Sequence, residues 1–107
     1  LKEVIKTSDA VHLFTELAHG GDLRKYVNNI GPLSEEEARD LFGQIVSAMK
    51  HAHRLGYAHR DLKLENVLLD GCRKVKVADW GLACKWKSGE KHSDPVGSIY
   101  YCAPEIL

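Results

Sequence analysis

One stretch constrains this chain more than any other: His59-Arg60-Asp61-Leu62-Lys63-Leu64-Glu65-Asn66, followed by two short apolar runs and then Asp79-Trp80-Gly81. Val67-Leu68-Leu69 is apolar and partly β-branched, Asp70-Gly71 is a turn signal, and Val75-Lys76-Val77-Ala78 alternates as a strand does. The spacing predicts a hairpin. Asn66 precedes its outgoing strand and Asp79 follows its returning one, so both stand at the open end, on chains about 5 Å apart. Two oxygen donors so placed can share a Mg²⁺ ion, which binds oxygen at about 2.0–2.1 Å and leaves positions for water and phosphate. Taken singly, each residue has a plainer reading as a turn cap, a strand end or a solvated charge. Those readings do not account for the joint order and spacing.

His-Arg-Asp with four spacers to Asn, then Asp-Trp-Gly, then Ala103-Pro104-Glu105 follow the order catalytic loop, metal motif, activation segment. In these motifs the chain resembles a eukaryotic-type serine/threonine protein kinase of the calcium/calmodulin- and AMP-activated-kinase group, over essentially its whole length. The resemblance implies an α+β, two-lobed fold. Residues 1–18 would form the end of the small lobe and the hinge, and residues 19–107 the mainly helical large-lobe part through the Ala-Pro-Glu motif. It also implies ATP- and Mg²⁺-dependent phosphorylation of serine or threonine in protein substrates. Asp61 would accept the proton of the substrate hydroxyl, and Lys63 would neutralise charge on the moving phosphoryl group. Asn66 and Asp79 would hold the metal. A lysine at position 63 resembles the serine/threonine rather than the tyrosine kinases.

Lys2 to Lys6 and Val11 to Thr15 read as two strands joined by a polar turn, and the second runs into Glu16-Leu17-Ala18-His19-Gly20-Gly21-Asp22. In the family this is the hinge, so the carbonyl of Glu16 and the amide of Ala18 would bind the adenine edge, with Thr15 as gatekeeper; an ordinary strand-to-helix loop is the other reading. Asp22 is a good N-cap for a short helix ending at Gly31-Pro32. It also matches the family position that contacts ribose or a basic substrate residue. Leu68 matches the apolar residue under the adenine ring, which completes a nucleotide-binding set of Glu16, Ala18, Asp22, Lys63, Glu65, Asn66, Leu68 and Asp79. Glu65 further matches a carboxylate that selects a basic residue near the phosphoacceptor, with a surface salt bridge as the alternative. Ser34-Glu35-Glu36-Glu37 predicts a capping box, and Ala38, Leu41, Phe42, Ile45, Val46, Met49 and Ala52 recur at helical spacing as a core-facing stripe up to a stop at Gly56.

Residues 79 to 105 match the activation segment. Arg60 resembles the arginine on which a negative charge docks to order that segment. Counted back from Ala103, the usual phosphothreonine position holds Asp94. Either Asp94 partly stands in for a phosphate, or it is a solvated Asp-Pro turn, which its smaller charge favours. Ser88 and Ser93 are further phosphosites to consider, and an upstream activating kinase is the corresponding partner. Ser98 matches a hydroxyl that would bond Asp61 and Lys63. His59 and Trp80 match two members of an internal apolar spine and are expected to be buried. Trp80 and Leu64 depart from the usual Phe and Pro.

Composition bounds what carries this site. At 107 residues, 44% hydrophobic and 28% charged, the chain suits one small globular unit, and it contains neither an 18-residue apolar run nor a signal-peptide pattern. Fifteen basic and fifteen acidic residues cancel, which argues against nucleic acid or an anionic membrane as its partner. Cys72, Cys84 and Cys102 are odd in number and unpaired by motif, the pattern of free thiols in a reducing compartment, so a cytoplasmic protein is expected, with the nucleus as the alternative. No Gly-rich loop or Ala-x-Lys occurs before the hinge. The chain is therefore expected to be part of a larger domain, without useful turnover alone. A pseudokinase acting as scaffold and a small-molecule phosphotransferase are the rival readings.

Overall fold

The computed structural model describes residues 1–87 and 89–106. Its strands are β1 (Glu3–Lys6), β2 (Val11–Phe14), β3 (Gly21–Asp22), β4 (Tyr57–Ala58), β5 (Val67–Leu69), β6 (Val75–Val77) and β7 (Cys84–Lys85), with helices α1 (Leu23–Ile30) and α2 (Glu35–Arg54) between β3 and β4. Short 3₁₀ turns cover Leu64–Asn66, Trp80–Leu82, Ile99–Tyr101 and Pro104–Ile106. All the strand pairs are antiparallel: β1 with β2, β3 with β5 with β6, and β4 with β7. This is the α+β mixture expected.

The predicted hairpin forms in register, with Val67 opposite Val77 and Leu69 opposite Val75. Its turn is closed by Asp70, whose carboxylate accepts from the amides of Cys72 and Lys74 at 2.8 and 2.9 Å. Those bonds, that to Lys74 first, lower the pKa of Asp70. Val67 and Leu69 point into a core shared with Leu23 and Leu41, against which Tyr26, Ile45, Leu64 and Val75 pack. Each fully buried side chain of this kind stabilises the fold by roughly 1.5–3 kcal/mol, so the hairpin is anchored on both helices rather than by its own ladder.

Both helices begin where capping chemistry places them. Asp22 accepts from the Lys25 amide at 2.8 Å, and Ser34 accepts from the Glu37 amide at 3.2 Å. The capping box is only half formed. Glu37 turns its carboxylate away from Ser34 to accept from the Tyr26 hydroxyl at 2.8 Å and from Arg73, because a half-buried phenol and a guanidinium at the hairpin turn compete for it. One side chain thereby ties α1, α2 and the β5–β6 turn together. After α2, Gly56 takes φ 78°, a left-handed stop that suits glycine.

The stripe on α2 differs from the expectation. Leu41 and Ala52 are buried and Ile45 and Met49 half-buried, but Phe42 is 66% and Val46 48% exposed. The apolar arc is wider than the surface β5, β6 and α1 can cover, so one flank of it faces outward with Leu62 beside it. No helix among the described residues is long and apolar enough to cross a membrane. The three cysteines are free thiols.

Candidate active site

The loop from β4 into β5 carries the site, and His59 fixes its backbone. Its ring is 2% exposed, Nε2 lies 2.9 Å from the carbonyl of Ala78, and Nδ1 accepts from the Asp61 amide at 3.2 Å. Since a carbonyl accepts and an amide donates, the pair of bonds fits the tautomer with its proton on Nε2. His59 therefore straps the loop to the strand leading to Asp79. Trp80 packs edge-on against it with ring centroids 4.6 Å apart. Trp80 itself is 38% exposed, contrary to the expected burial, because its indole N–H bonds the Val77 carbonyl at 3.1 Å and lays the ring along the outside of the turn.

Asp61 is the centre of a closed set of bonds, with only 10% of its side chain exposed. Oδ1 accepts from the Ser98 hydroxyl at 2.7 Å, and Oδ2 from Lys63 Nζ at 2.8 Å and Asn66 Nδ2 at 3.1 Å. Lys63 also donates to Ser98 at 2.9 Å, and Asn66 to the Asp61 carbonyl at 2.9 Å. The Lys63 bond, followed by that of Ser98, holds the Asp61 carboxyl below the ordinary carboxylate range despite its burial. Reciprocally, Lys63 is raised, first by its bond to Asp61 and then by the charges of Asp61, Glu65 and Asp79. The carboxylate is thus anionic at neutral pH and aimed by three donors.

Asn66 is buried at 6% exposure, and its backbone carbonyl accepts from Ala78 at 2.8 Å, one bond beyond the ladder. That bond brings the residue after Ala78 alongside Asn66, as the hairpin spacing implied. Asp79 stands there, exposed and left-handed at φ 57°, ψ 67°, with no capping bond from its side chain. A Cβ on Gly81 would come within 3.3 Å of its Oδ1, so the glycine leaves the carboxylate room. Arg60, at φ 66°, is the other left-handed residue beside the site. Such conformations cost a non-glycine residue on the order of 1–2 kcal/mol and persist where surrounding bonds over-determine them.

The stretch expected to form the hinge lies along the same hairpin, with β3 paired to β5. The Gly20 amide donates to the Leu69 carbonyl at 2.8 Å, Gly21 donates to the Ala18 carbonyl at 3.2 Å, and Asp22 pairs with Leu68 in the β3–β5 ladder. A Cβ at Gly20 would meet that of Leu69 at 2.8 Å, so only glycine permits this approach. Glu16 is paired with Lys76 of β6 at 3.1 Å, a contact sequence spacing gave no sign of. Asp22 caps α1, and that bond to Lys25 lowers its pKa. Glu65 makes a surface pair: Arg24 stands 3.4 Å from Oε1 and the Tyr101 hydroxyl 3.4 Å from Oε2.

The segment after Asp79 returns to the loop at several points. The β7 strand pairs with β4, and the Trp86 amide donates to Gly56 at 2.7 Å. Asp94 is not a merely solvated turn: although 62% exposed, its carboxylate lies 2.6 Å from Arg60 Nη1. Ser88 falls outside the described residues.

Against this geometry, the family described as Protein kinase domain matches residues 1–107. Serine/threonine-protein kinase SIK1 of Rattus norvegicus is 44% identical over all of this chain, and sperm motility kinase 2B of Mus musculus 42% identical over all of it. Serine/threonine-protein kinase SRK2C of Arabidopsis thaliana is 45% identical over 99% of the chain. The chain spans 14%, 22% and 32% of the lengths of these three relatives.

Proposed function

Because this chain belongs to the protein kinase family, we propose that the enzyme containing it transfers the γ-phosphoryl group of ATP to serine or threonine hydroxyls of protein substrates. The observation that carries the reading is the closed set around Asp61, in which Lys63 and Asn66 of the same loop and Ser98 from a distant stretch of chain converge on one carboxylate.

A carboxylate held below its ordinary pKa is a poor base toward a free alcohol. Its part is orientation. Asp61 would hold the acceptor hydroxyl in line, and take its proton late, once the new P–O bond has made that proton acidic, as a loose transition state permits. Lys63 is a cation already in place, whose raised pKa keeps it charged, so it can stabilise negative charge on the transferring group without rearrangement. Ser98 holds both residues together, donating to Asp61 and accepting from Lys63.

The donor set also suits a hard cation. The amide oxygen of Asn66 and the carboxylate of Asp79 are oxygen ligands of the kind Mg²⁺ takes, and Asn66 spends its amide nitrogen on Asp61, which leaves its oxygen free for a metal. When bound, the ion would neutralise charge on the phosphate chain. Leu68 and the hinge stretch from Glu16 to Ala18 would take the adenine side.

The test is phosphate transfer from labelled ATP to serine- and threonine-containing peptides by the full-length protein, with Asp61→Asn as control. Transfer that Asp61→Asn abolishes supports the reading. Nucleotide binding without any transfer by the unaltered enzyme would replace it with a scaffolding role.

A further inference from the structure

Arg60, beside the site, ties two distant stretches of chain to the loop. Its backbone is left-handed, its side chain is 20% exposed, and its guanidinium makes two bonds to different stretches of chain. Nε donates to the Leu82 carbonyl at 2.8 Å, on the turn that follows Asp79, and Nη1 donates to Asp94 Oδ2 at 2.6 Å. The short distance and the charge on both partners make the second a strong bond of its type. The carbonyl of Arg60 is covered as well: a Cβ on Gly97, at φ 110°, would stand 2.8 Å from it, so the segment after Asp94 lies directly on the loop backbone. Ser98, the next residue, bonds Asp61.

Asp94 to Ser98 therefore touches Arg60–Asp61 at both ends and in the middle. We propose that Asp94 is a positioning residue: through Arg60 it docks the segment on the catalytic loop and so delivers Ser98 to Asp61, with no covalent phosphate needed on the segment. The inference rests on the phosphotransferase reading above, but the docking itself does not. A guanidinium already partnered on two sides and largely withdrawn from water would lose the charge of its second partner if Asp94 were neutral, and the stretch from Asp94 to Ser98 would then be held to the loop chiefly by the Ser98 bonds to Asp61 and Lys63. The carboxylate carries one charge and two oxygens, so its hold is weaker than a phosphate's, yet it is permanent.

The experiment uses the full-length protein made in bacteria and treated with phosphatase, its segment shown by mass spectrometry to carry no phosphate. Asp94→Asn, Asp94→Glu and the unaltered protein are compared by amide hydrogen exchange and by peptide phosphorylation. In Asp94→Asn, exchange over residues 58–63 and 95–101 is expected to quicken. Its kcat should fall about tenfold, the worth of one charged hydrogen bond, while KM for ATP and the thermal midpoint stay put. Asp94→Glu should restore most of both. Unchanged exchange in Asp94→Asn overturns the proposal whatever the activity. An unaltered protein that shows the exchange difference yet transfers no phosphate leaves the docking standing and counts against the phosphotransferase reading instead.

Discussion

The Ser98 hydroxyl donates to Asp61 Oδ1 at 2.7 Å, although 37 positions of chain separate them. That one bond joins the loop that would orient a substrate hydroxyl to the segment on which a peptide would lie. It also sets the protonation of the carboxylate, second only to Lys63.

Ser98→Ala in the full-length enzyme should therefore lower kcat by about tenfold and move the acid limb of the pH–rate profile upward, since one of the bonds that depress Asp61 is lost. Lys63→Ala should raise the Asp61 carboxyl further, because its bond is the larger cause. The stability linkage has a definite sign. With its folded-state pKa depressed, Asp61 contributes stability that is complete above the unfolded value of about 3.9 and disappears as pH falls through the lower folded value. Carboxyl ¹³C titration and acid denaturation of the two variants check both statements; an acid limb that stays in place in Ser98→Ala would refute the first.

Asn66→Ala should destabilise the protein by about 1–3 kcal/mol, because the buried amide serves two acceptors of Asp61 and its loss strips the Asp61 carbonyl of that donor and leaves Oδ2 to Lys63 alone. Asn66→Asp keeps the shape but sets a second carboxylate against Oδ2. Its expected signature is a raised Asp61 pKa and a stability that improves, rather than worsens, as pH is lowered from 7 toward 5. Denaturant midpoints across that range decide it.

Gly97→Ala meets the Arg60 carbonyl at 2.8 Å from a backbone at φ 110°. Backbone cannot step aside as a flexible side chain would, so the segment should lift, with a loss of about 1–3 kcal/mol and most of the activity. Gly71→Ala, which meets nothing within 4 Å and needs no left-handed backbone, is the matched control and should be close to silent. Thermal midpoints and peptide phosphorylation of the two variants, side by side, measure the difference.

Gly43→Ala should stabilise. Gly43 is exposed within α2, and an added Cβ there meets nothing within 4 Å, so the change removes a flexible residue from a helix interior at a gain of roughly 0.5–1 kcal/mol. A thermal midpoint that falls instead would show that this face of α2 is covered in the full-length protein.

Much of the local structure was legible in advance, for reasons of short range. Asp22 and Ser34 start helices because a side-chain oxygen two or three residues from free amides is the nearest acceptor they have. Asp70-Gly71 and the flanking apolar runs make a hairpin whichever way the rest folds. Glu37 shows where that reasoning stops. Its place in the pattern implied a bond back to Ser34, but Tyr26 and Arg73, brought there by packing, took the carboxylate instead. Trp80 was expected inside and lies half outside, for its indole found a carbonyl on the surface.

Order and spacing along the chain by themselves determined the hairpin, the two caps, and the standing of Asn66 and Asp79 at one open end, because each depends on residues within a turn or a strand of one another. Folding in three dimensions decided the rest: that Ser98 reaches Asp61, that Asp94 meets Arg60, that Glu65 is engaged by Arg24 and Tyr101. These partners lie 34 to 41 positions apart, Asp94 and Arg60 at the near end and Arg24 and Glu65 at the far end. Over such distances no local preference of the backbone selects a contact; only the burial of Val67 and Leu69 against the helices, and the return of the segment along β4, bring the charges within reach.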